Sequence, residues 1–431
     1  MAHELAVWLF GARVGTLALV EGRLNFCYTD SWLSQPDAPA LSASLPRQAE
    51  PFDDHQTRPF FAGLLPEGRM RHLIAQQFHV SDQNDLALLG HIGGECAGAV
   101  TLLDPGQALP AASHGDAVQW LSDKEVAALL DELPNRPMLA GFDGLRLSLA
   151  GAQDKLPVVF DGVRIGLPRN GTPSSHILKS AIHAIEDSVI NESFCLALAK
   201  SMQLKPAKSK VRVVLGRPFL LVERYDRVTD EQGHRQRLHQ EDFCQALSVT
   251  PEMKYQNEGG PDLAQCFDLV RRITRPSAPQ TLRLFDYVIF NTLIGNHDAH
   301  AKNFSLLYSG KIPVLAPLYD TLSTAVYPAL APKMAMKIGS KYQFSDVHAR
   351  HWEQFAEDVG LAKRQAKRRI LELAKSLPLT ARKLQSDPTN RFVHNVVVER
   401  IIALIEQRCA LTIRRLTDSA AKKNDIAKPS A

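Results

Sequence analysis

The sequence is short of several things, and each shortage removes a class of protein. Cysteine is sparse: the six, at 27, 96, 195, 244, 266 and 409, are scattered and form no C-x-x-C pair. Reduced thiols within apolar stretches of a cytoplasmic protein are expected, not a disulfide framework. Charge of one sign is in little excess. Fifty Lys and Arg against 46 Asp and Glu leave a formal +4, which argues against a large nucleic-acid surface as the main business of the chain, while permitting weak DNA contact. Long apolar runs are missing too. The first one, Leu5 to Phe10, stops at Gly11 and Arg13 and has no basic flank, so neither a signal peptide nor a membrane span is expected. There is no internal repeat and no G-x-x-x-x-G-K-[ST] phosphate loop. The 431 residues, 45% hydrophobic and 22% charged, have the balance of an ordinary globular protein with room for two or three domains.

What is present centres on Asn296 to Asn303, reading NHDAHAKN. Asp298 and Asn303 stand five positions apart just after an apolar helix whose stripe is Leu284, Phe285, Val288, Ile289 and Leu293, with Gly295 as its terminator. Protein-kinase catalytic loops use this Asp-x4-Asn spacing: the Asp accepts the proton of the attacking hydroxyl and the Asn holds a magnesium ion against the ATP phosphates. Further on, the apolar, strand-like run LAPLYDTLS delivers Asp320, where a second magnesium ligand is wanted. One Asp, one Asn and nucleotide phosphates make a hard-oxygen set that suits Mg2+. The bland alternative is that both aspartates merely cap turns.

In chain order, AVWLF, VGTLALV and RLNFCY read as three strands of a small antiparallel sheet. LALLGHIGGECAGAVTLL reads as helix, glycine turn and strand, with the glycines at 90, 93, 94 and 98 in tight turns. Residues 1–110 are therefore an α+β module. Residues 111–140 hold a linker, within a Pro-, Ala-, Gly- and Ser-rich stretch from 104 to 116, and a helix from Asp123 to Leu133. Residues 141–230 carry strands: LRLSLAGAQDK gives a small-residue turn of the kind that lets backbone N–H groups approach phosphates, and a hairpin turning at Asp161 and Gly162 follows. SHILK then presents Lys179, as either a phosphate contact or a snorkelling surface lysine. On the next helix, Ser188 to Gln203, Glu192 is its candidate partner or a solvated glutamate. Glu223 to Tyr225 are candidates for a hinge that holds adenine. Residues 231–415 are helix-rich and contain the catalytic loop, and 416–431 read as a frayed, flexible tail. The basic cluster Lys363 to Arg369 fits a solvated helix face better than a DNA patch.

These motifs together resemble the HipA family of serine/threonine kinase toxins. The matching segments are LLGHIGGECAGAVTLL, SLAGAQDK, SHILK, NESFC, VERYDR, QEDFCQ, KYQNEGGP, HAKNFS and LYDTLS, in order over nearly the whole length. The fold implied is α+β: a two-lobed protein-kinase-like fold with an additional amino-terminal module. By resemblance, Asp298 is the general base, and Asn303 and Asp320 are the magnesium ligands. Ala150, Gly151, Ala152, Gln153, Asp154 and Lys155 cover the phosphates, which Lys179 and His300 contact. Glu223, Arg224 and Tyr225 form the adenine hinge. Gln240, Ala301, Lys302 and Tyr319 line the nucleotide site, and Ser148 matches a serine that family members phosphorylate on themselves. Where the family commonly reads D-G-H-A-K-N, this chain has Ala299 after Asp298, a change that removes backbone freedom but no functional group.

The resemblance implies an ATP- and Mg2+-dependent serine/threonine kinase, the cytoplasmic toxin of a toxin-antitoxin module. It further implies an aminoacyl-tRNA synthetase as substrate and a HipB-type helix-turn-helix antitoxin as partner, with DNA reached mainly through that antitoxin. Two rivals differ in class: a small-molecule kinase of the aminoglycoside-phosphotransferase type, and a non-catalytic co-repressor subunit of an antitoxin–DNA complex.

Overall fold

The computed structural model describes residues 4–109, 117–142, 145–310 and 312–426, with the side chains of the last helix as far as Asp418. The chain forms two compact units. The first comprises Met1–His183, Ala207–Lys254 and Ser305–Ala316, and the second Ala184–Pro206, Tyr255–Phe304 and Pro317–Ala431.

All strands among the described residues belong to the first unit. Strands β1 (Glu4–Leu9), β2 (Ala12–Val20), β3 (Arg23–Tyr28) and β4 (Val100–Leu103) make an antiparallel sheet in the order β3-β2-β1-β4. The β2–β3 hairpin turns through Glu21 and Gly22, both at positive φ (50° and 79°), the two-residue geometry that matches strand twist. Alternation along β1 to β3 buries Leu5, Val7, Leu9, Val14, Leu17, Leu24 and Phe26, and the helices Asp54–Ala62 and Asp85–Ile92 join this core through Phe60, Phe61, Leu88 and Leu89.

A second antiparallel sheet contains β5 (Val118–Leu121), β6 (Lys155–Phe160), β7 (Ile165–Pro168), β8 (His176–Ser180), β9 (Ser209–Val214) and β10 (Arg217–Glu223), in the order β5-β7-β6-β8-β10-β9. The expected hairpin at Asp161 and Gly162 is its β6–β7 turn. Smaller pairings follow: β11 (Arg227–Thr229) with β12 (Arg235–Arg237), then β13 (His239–Asp242) with β14 (Ser305–Tyr308) and β15 (Val314–Leu315).

Glu241, on β13, is almost fully buried and accepts hydrogen bonds from the hydroxyls of Ser42 and Tyr308 and from the Ala43 N–H at 3.0 Å. Burial outweighs these donors and pushes its carboxyl up to about 7. A carboxyl raised in the folded state stabilises the fold below its unfolded value, and that stability is lost as pH rises through the folded one. Between about pH 4.5 and about pH 7, the wild type is therefore expected to lose up to about 1.4 kcal/mol per pH unit relative to Glu241→Gln. Paired urea titrations across that range measure the difference, and parallel curves would refute it.

The second unit consists of helices and irregular segments. Its helices are Ser188–Ser201, Leu263–Ile273, Ser277–Ile294, Ala349–Asp358, Lys363–Ser386 and Val396–Ile426. The last one reaches Ile426, so most of the tail expected from residue 416 onward is helical, and 427–431 lie outside the described residues. Of the interdomain linker, 110–116 also lies outside them. Much of the basic cluster is matched by acids: Lys363 pairs with Glu357, Arg368 with Glu372, and Arg369 with Asp286 and Glu372. The six cysteines are free, and all but Cys27 are buried. Among the described residues, no helix is long and apolar enough to cross a membrane.

Candidate active site

In the second unit, the helix Ser277–Ile294 buries the predicted stripe and also Tyr287, Phe290 and Ile294. It ends at Gly295, whose φ is 78° and where an added Cβ would meet Leu404 at 2.7 Å and Ala325 at 2.8 Å. Glycine is thus required there twice over, by conformation and by space. The loop that follows is tied to itself. The Asn296 Oδ1 accepts from the Asp298 N–H at 3.1 Å, while its amide donates to Asn291 at 2.9 Å. The His300 N–H donates to the Asp298 carbonyl at 2.8 Å, and the Asn303 Nδ2 donates to the same carbonyl at 2.7 Å. The Asn303 side chain is thereby fixed to the Asp298 main chain. Using Nδ2 in this way leaves the Asn303 Oδ1 as the oxygen for a cation. The Asp298 side chain is 49% exposed, with the buried His300 ring 3.9 Å away.

Asp320 comes from a segment laced to this loop. The Tyr319 hydroxyl donates to the Lys302 carbonyl at 2.7 Å, Thr324 accepts from the His297 N–H at 2.8 Å, and the Ala325 N–H reaches the Gly295 carbonyl at 2.9 Å. Asn191, fully buried on the helix Ser188–Ser201, pins the same segment: its amide donates to the Ser323 carbonyl and the Tyr327 hydroxyl, and its oxygen accepts from the Ser323 N–H at 2.8 Å. The strand-like reading of LAPLYDTLS needs correcting. The strand ends at Leu315, and Asp320 sits at φ 52°, a left-handed conformation that Asp tolerates better than bulky residues. Glu192 is buried on the same helix as Asn191.

In the first unit, the segment 147–155 is held by the amino-terminal module. Leu147 bridges Glu95 and Gly151 bridges Pro66. The Ser148 N–H donates to the Glu95 carbonyl at 2.9 Å, its hydroxyl to the Leu64 carbonyl at 2.7 Å, and the Glu67 N–H to the Gly151 carbonyl at 3.1 Å. Ser148 is fully buried. Lys155 donates to the Ala150 carbonyl, and the Gln153 amide reaches Ser180 at 3.3 Å. Burial raises the Asp154 carboxyl above its ordinary range. Lys155 and Lys179 are directly opposite each other across β6 and β8, so both lysines face the same side of the sheet.

The candidate hinge is more structural than expected. The Glu223 N–H is taken by the Lys208 carbonyl at 2.8 Å, and its carboxylate by Lys208 at 3.0 Å. Tyr225 donates its hydroxyl to Gln240, joining two predicted residues. The Arg224 side chain is buried in an ion cluster absent from the sequence reading. There, Glu95 meets Arg224, Arg227 and Arg237, and Asp226 meets Arg224 at 2.7 Å and Arg227 at 3.0 Å. Burial alone would push Glu95 up, but Arg227, Arg237 and Arg224 hold it well below the usual carboxylate range. The cue was a glutamate within a glycine turn, but its partners lie about 130 residues away. Tyr255, also missed, donates its hydroxyl to the Asp298 Oδ1 at 2.6 Å.

One helical unit that carries the Asp298–Asn303 loop and one sheet-bearing unit that includes an extra amino-terminal α+β module define the class: an α+β, two-lobed protein-kinase-like fold. The HipA-like C-terminal domain is matched over residues 147–381 and the HipA N-terminal domain over residues 5–103. The chain belongs to the HipA family. It is 43% identical over 412 residues to a putative kinase, Y4mE, of Sinorhizobium fredii, covering 94% of this chain and 98% of that one. It is 28% identical over 365 residues to the serine/threonine-protein kinase toxin HipA of Shewanella oneidensis, covering 81% and 82%. Among solved structures, the fold resembles a chain of the Shewanella oneidensis complex of HipA, HipB and operator DNA, with a TM-score of 0.84 at 24% identity, over 96% of this chain and 98% of that one.

Proposed function

We propose that this protein is an ATP-dependent serine/threonine kinase and the toxin of a toxin-antitoxin module, acting in the cytoplasm. One observation carries the reading: Asp298, half exposed, shares a hydrogen-bonded loop with Asn303, and a segment laced to that loop brings Asp320. In this reading, Asp298 accepts the proton of the incoming hydroxyl, and fixed positioning together with charge stabilisation supplies the rest of the rate. Asn303 and Asp320 would hold Mg2+; its chemistry is to neutralise charge on the nucleotide phosphates. Lys155 and Lys179 stand opposite each other across β6 and β8, and in this reading both cations contact the nucleotide polyphosphate. Gln153, His300 and the small residues Ala150 to Ala152 take part in phosphate binding, and Gln240, Tyr225 and Tyr319 line the nucleotide site.

The substrate in this reading is an aminoacyl-tRNA synthetase, and the neutralising partner is a HipB-type antitoxin that carries the DNA contact. Kinase and toxin are the names borne by relatives, and the HipB–operator assembly is that of the structural neighbour. Phosphorylation of Ser148 would self-inactivate the enzyme. A phosphate brings about −1.5 to −2 charge to a hydroxyl now buried against the Leu64 carbonyl, so the segment 147–151 would have to leave its bed.

Phosphoproteomics after brief expression of the chain alone tests the proposal. A new phosphosite on a synthetase, absent with Asp298→Asn, is the expected result. Transfer to aminocyclitols but not to proteins would favour the small-molecule rival, and an unchanged growth phenotype with Asp298→Asn would favour the co-repressor.

A further inference from the structure

We infer that Tyr255 is a positioning residue for the phosphoryl-transfer base, fixing the Asp298 carboxylate through its hydroxyl; this rests on the role given to Asp298 above. The loop's own hydrogen bonds fix the Asp298 main chain, through Asn296, His300 and Asn303. The side chain, about half exposed, depends on contacts of its own to stay aligned. A base that rotates in solvent spends most of its time out of line with the incoming hydroxyl. The Tyr255 hydroxyl donates to Oδ1 at 2.6 Å, a short charge-assisted bond.

The phenol is itself held rigidly. The Glu258 and Gly260 N–H groups both close onto the Tyr255 carbonyl at 2.9 Å. The neighbouring Gln256 donates its N–H to the Ala335 carbonyl at 3.2 Å and accepts from the Lys337 N–H at 2.8 Å. The Tyr255 ring packs edge-on against His300, with centroids 5.1 Å apart and planes at 83°. The turn Tyr255–Gly260 is therefore a platform, and the Tyr255 hydroxyl on it is aimed at the base. A tyrosine serving only to pack would need the ring and not the hydroxyl.

Tyr255→Phe separates the two. With γ-labelled ATP and Mg2+, and label counted in the chain itself and in casein, kcat is expected to fall about tenfold, with KM for ATP within about twofold and the thermal midpoint unchanged. In an Asp298→Asn background the same substitution is expected to add nothing, because the pair acts as a unit. An unchanged kcat in Tyr255→Phe, or an equal loss in both backgrounds, overturns the inference. Full transfer by Asp298→Asn would instead remove the base assignment itself. Carbon-13 NMR of Cζ-labelled tyrosine reads the contact without any turnover: the resonance missing from Tyr255→Phe should move in Asp298→Asn, and one that stays put overturns the pairing.

Discussion

Asp298→Asn is expected to lower phosphoryl transfer by about a thousandfold, within the 10²–10⁴ range of a general base, while leaving the fold and ATP affinity close to wild type. The substitution keeps the size of the side chain and still offers an acceptor to Tyr255, whose hydroxyl now bonds Oδ1. It removes the negative charge and with it the capacity to take a proton. The backbone around it is secured by Asn296, His300 and Asn303, so the loop has no reason to collapse. Transfer rates from labelled ATP, together with a fluorescent nucleotide titration, measure the two quantities separately. Activity above about a tenth of wild type would mean that another group takes the proton.

Glu95→Gln is expected to cost about 3–5 kcal/mol of stability in the first unit, the usual penalty for removing one partner of a buried ion cluster. Glu95 is 4% exposed and faces three guanidiniums, two of them as deeply buried as itself. Its oxygens also accept from the Ser174 N–H and hydroxyl at 3.0 and 2.9 Å. Glutamine restores part of the hydrogen bonding but none of the charge, leaving Asp226 as the carboxylate among them. Urea denaturation followed by β-sheet circular dichroism gives the magnitude, and a loss below about 1 kcal/mol would show that the cluster does not bear the strain its burial implies. Glu95 also contributes little to pH dependence near neutrality: its carboxyl is depressed, so its stabilisation is fully present above the unfolded value and is lost as pH falls from there through the folded one.

Local signals in the sequence were read well because the forces behind them are local. The stripe Leu284 to Leu293 and the Gly295 stop mark the helix ahead of the loop, and Asp298 with Asn303 carries its own spacing. The three amino-terminal strands and the β6–β7 hairpin follow from alternation and turn residues. What escaped depends on distant partners. Neither the Glu95 cluster, whose partners are 129 to 142 residues away, nor the Tyr255 contact, 43 residues away, has a periodicity to betray it. The left-handed Asp320 was hidden by apolar neighbours that imitate a strand. The hinge reading of Glu223 to Tyr225 concerned backbone groups, and nothing local announced that the Arg224 guanidinium is sequestered with Asp226.

The bed that receives Ser148 and Gly151 is built from residues 64 to 67 and 95. Those residues precede the kinase-like sequence, yet they form part of its wall. A protein shortened to begin after Leu103 would lose the edge on which residues 147–151 lie and the counter-ion of Arg224, Arg227 and Arg237. The amino-terminal portion is in this sense an internal scaffold, and trimming experiments meant to isolate a minimal enzyme should yield an insoluble or inert fragment.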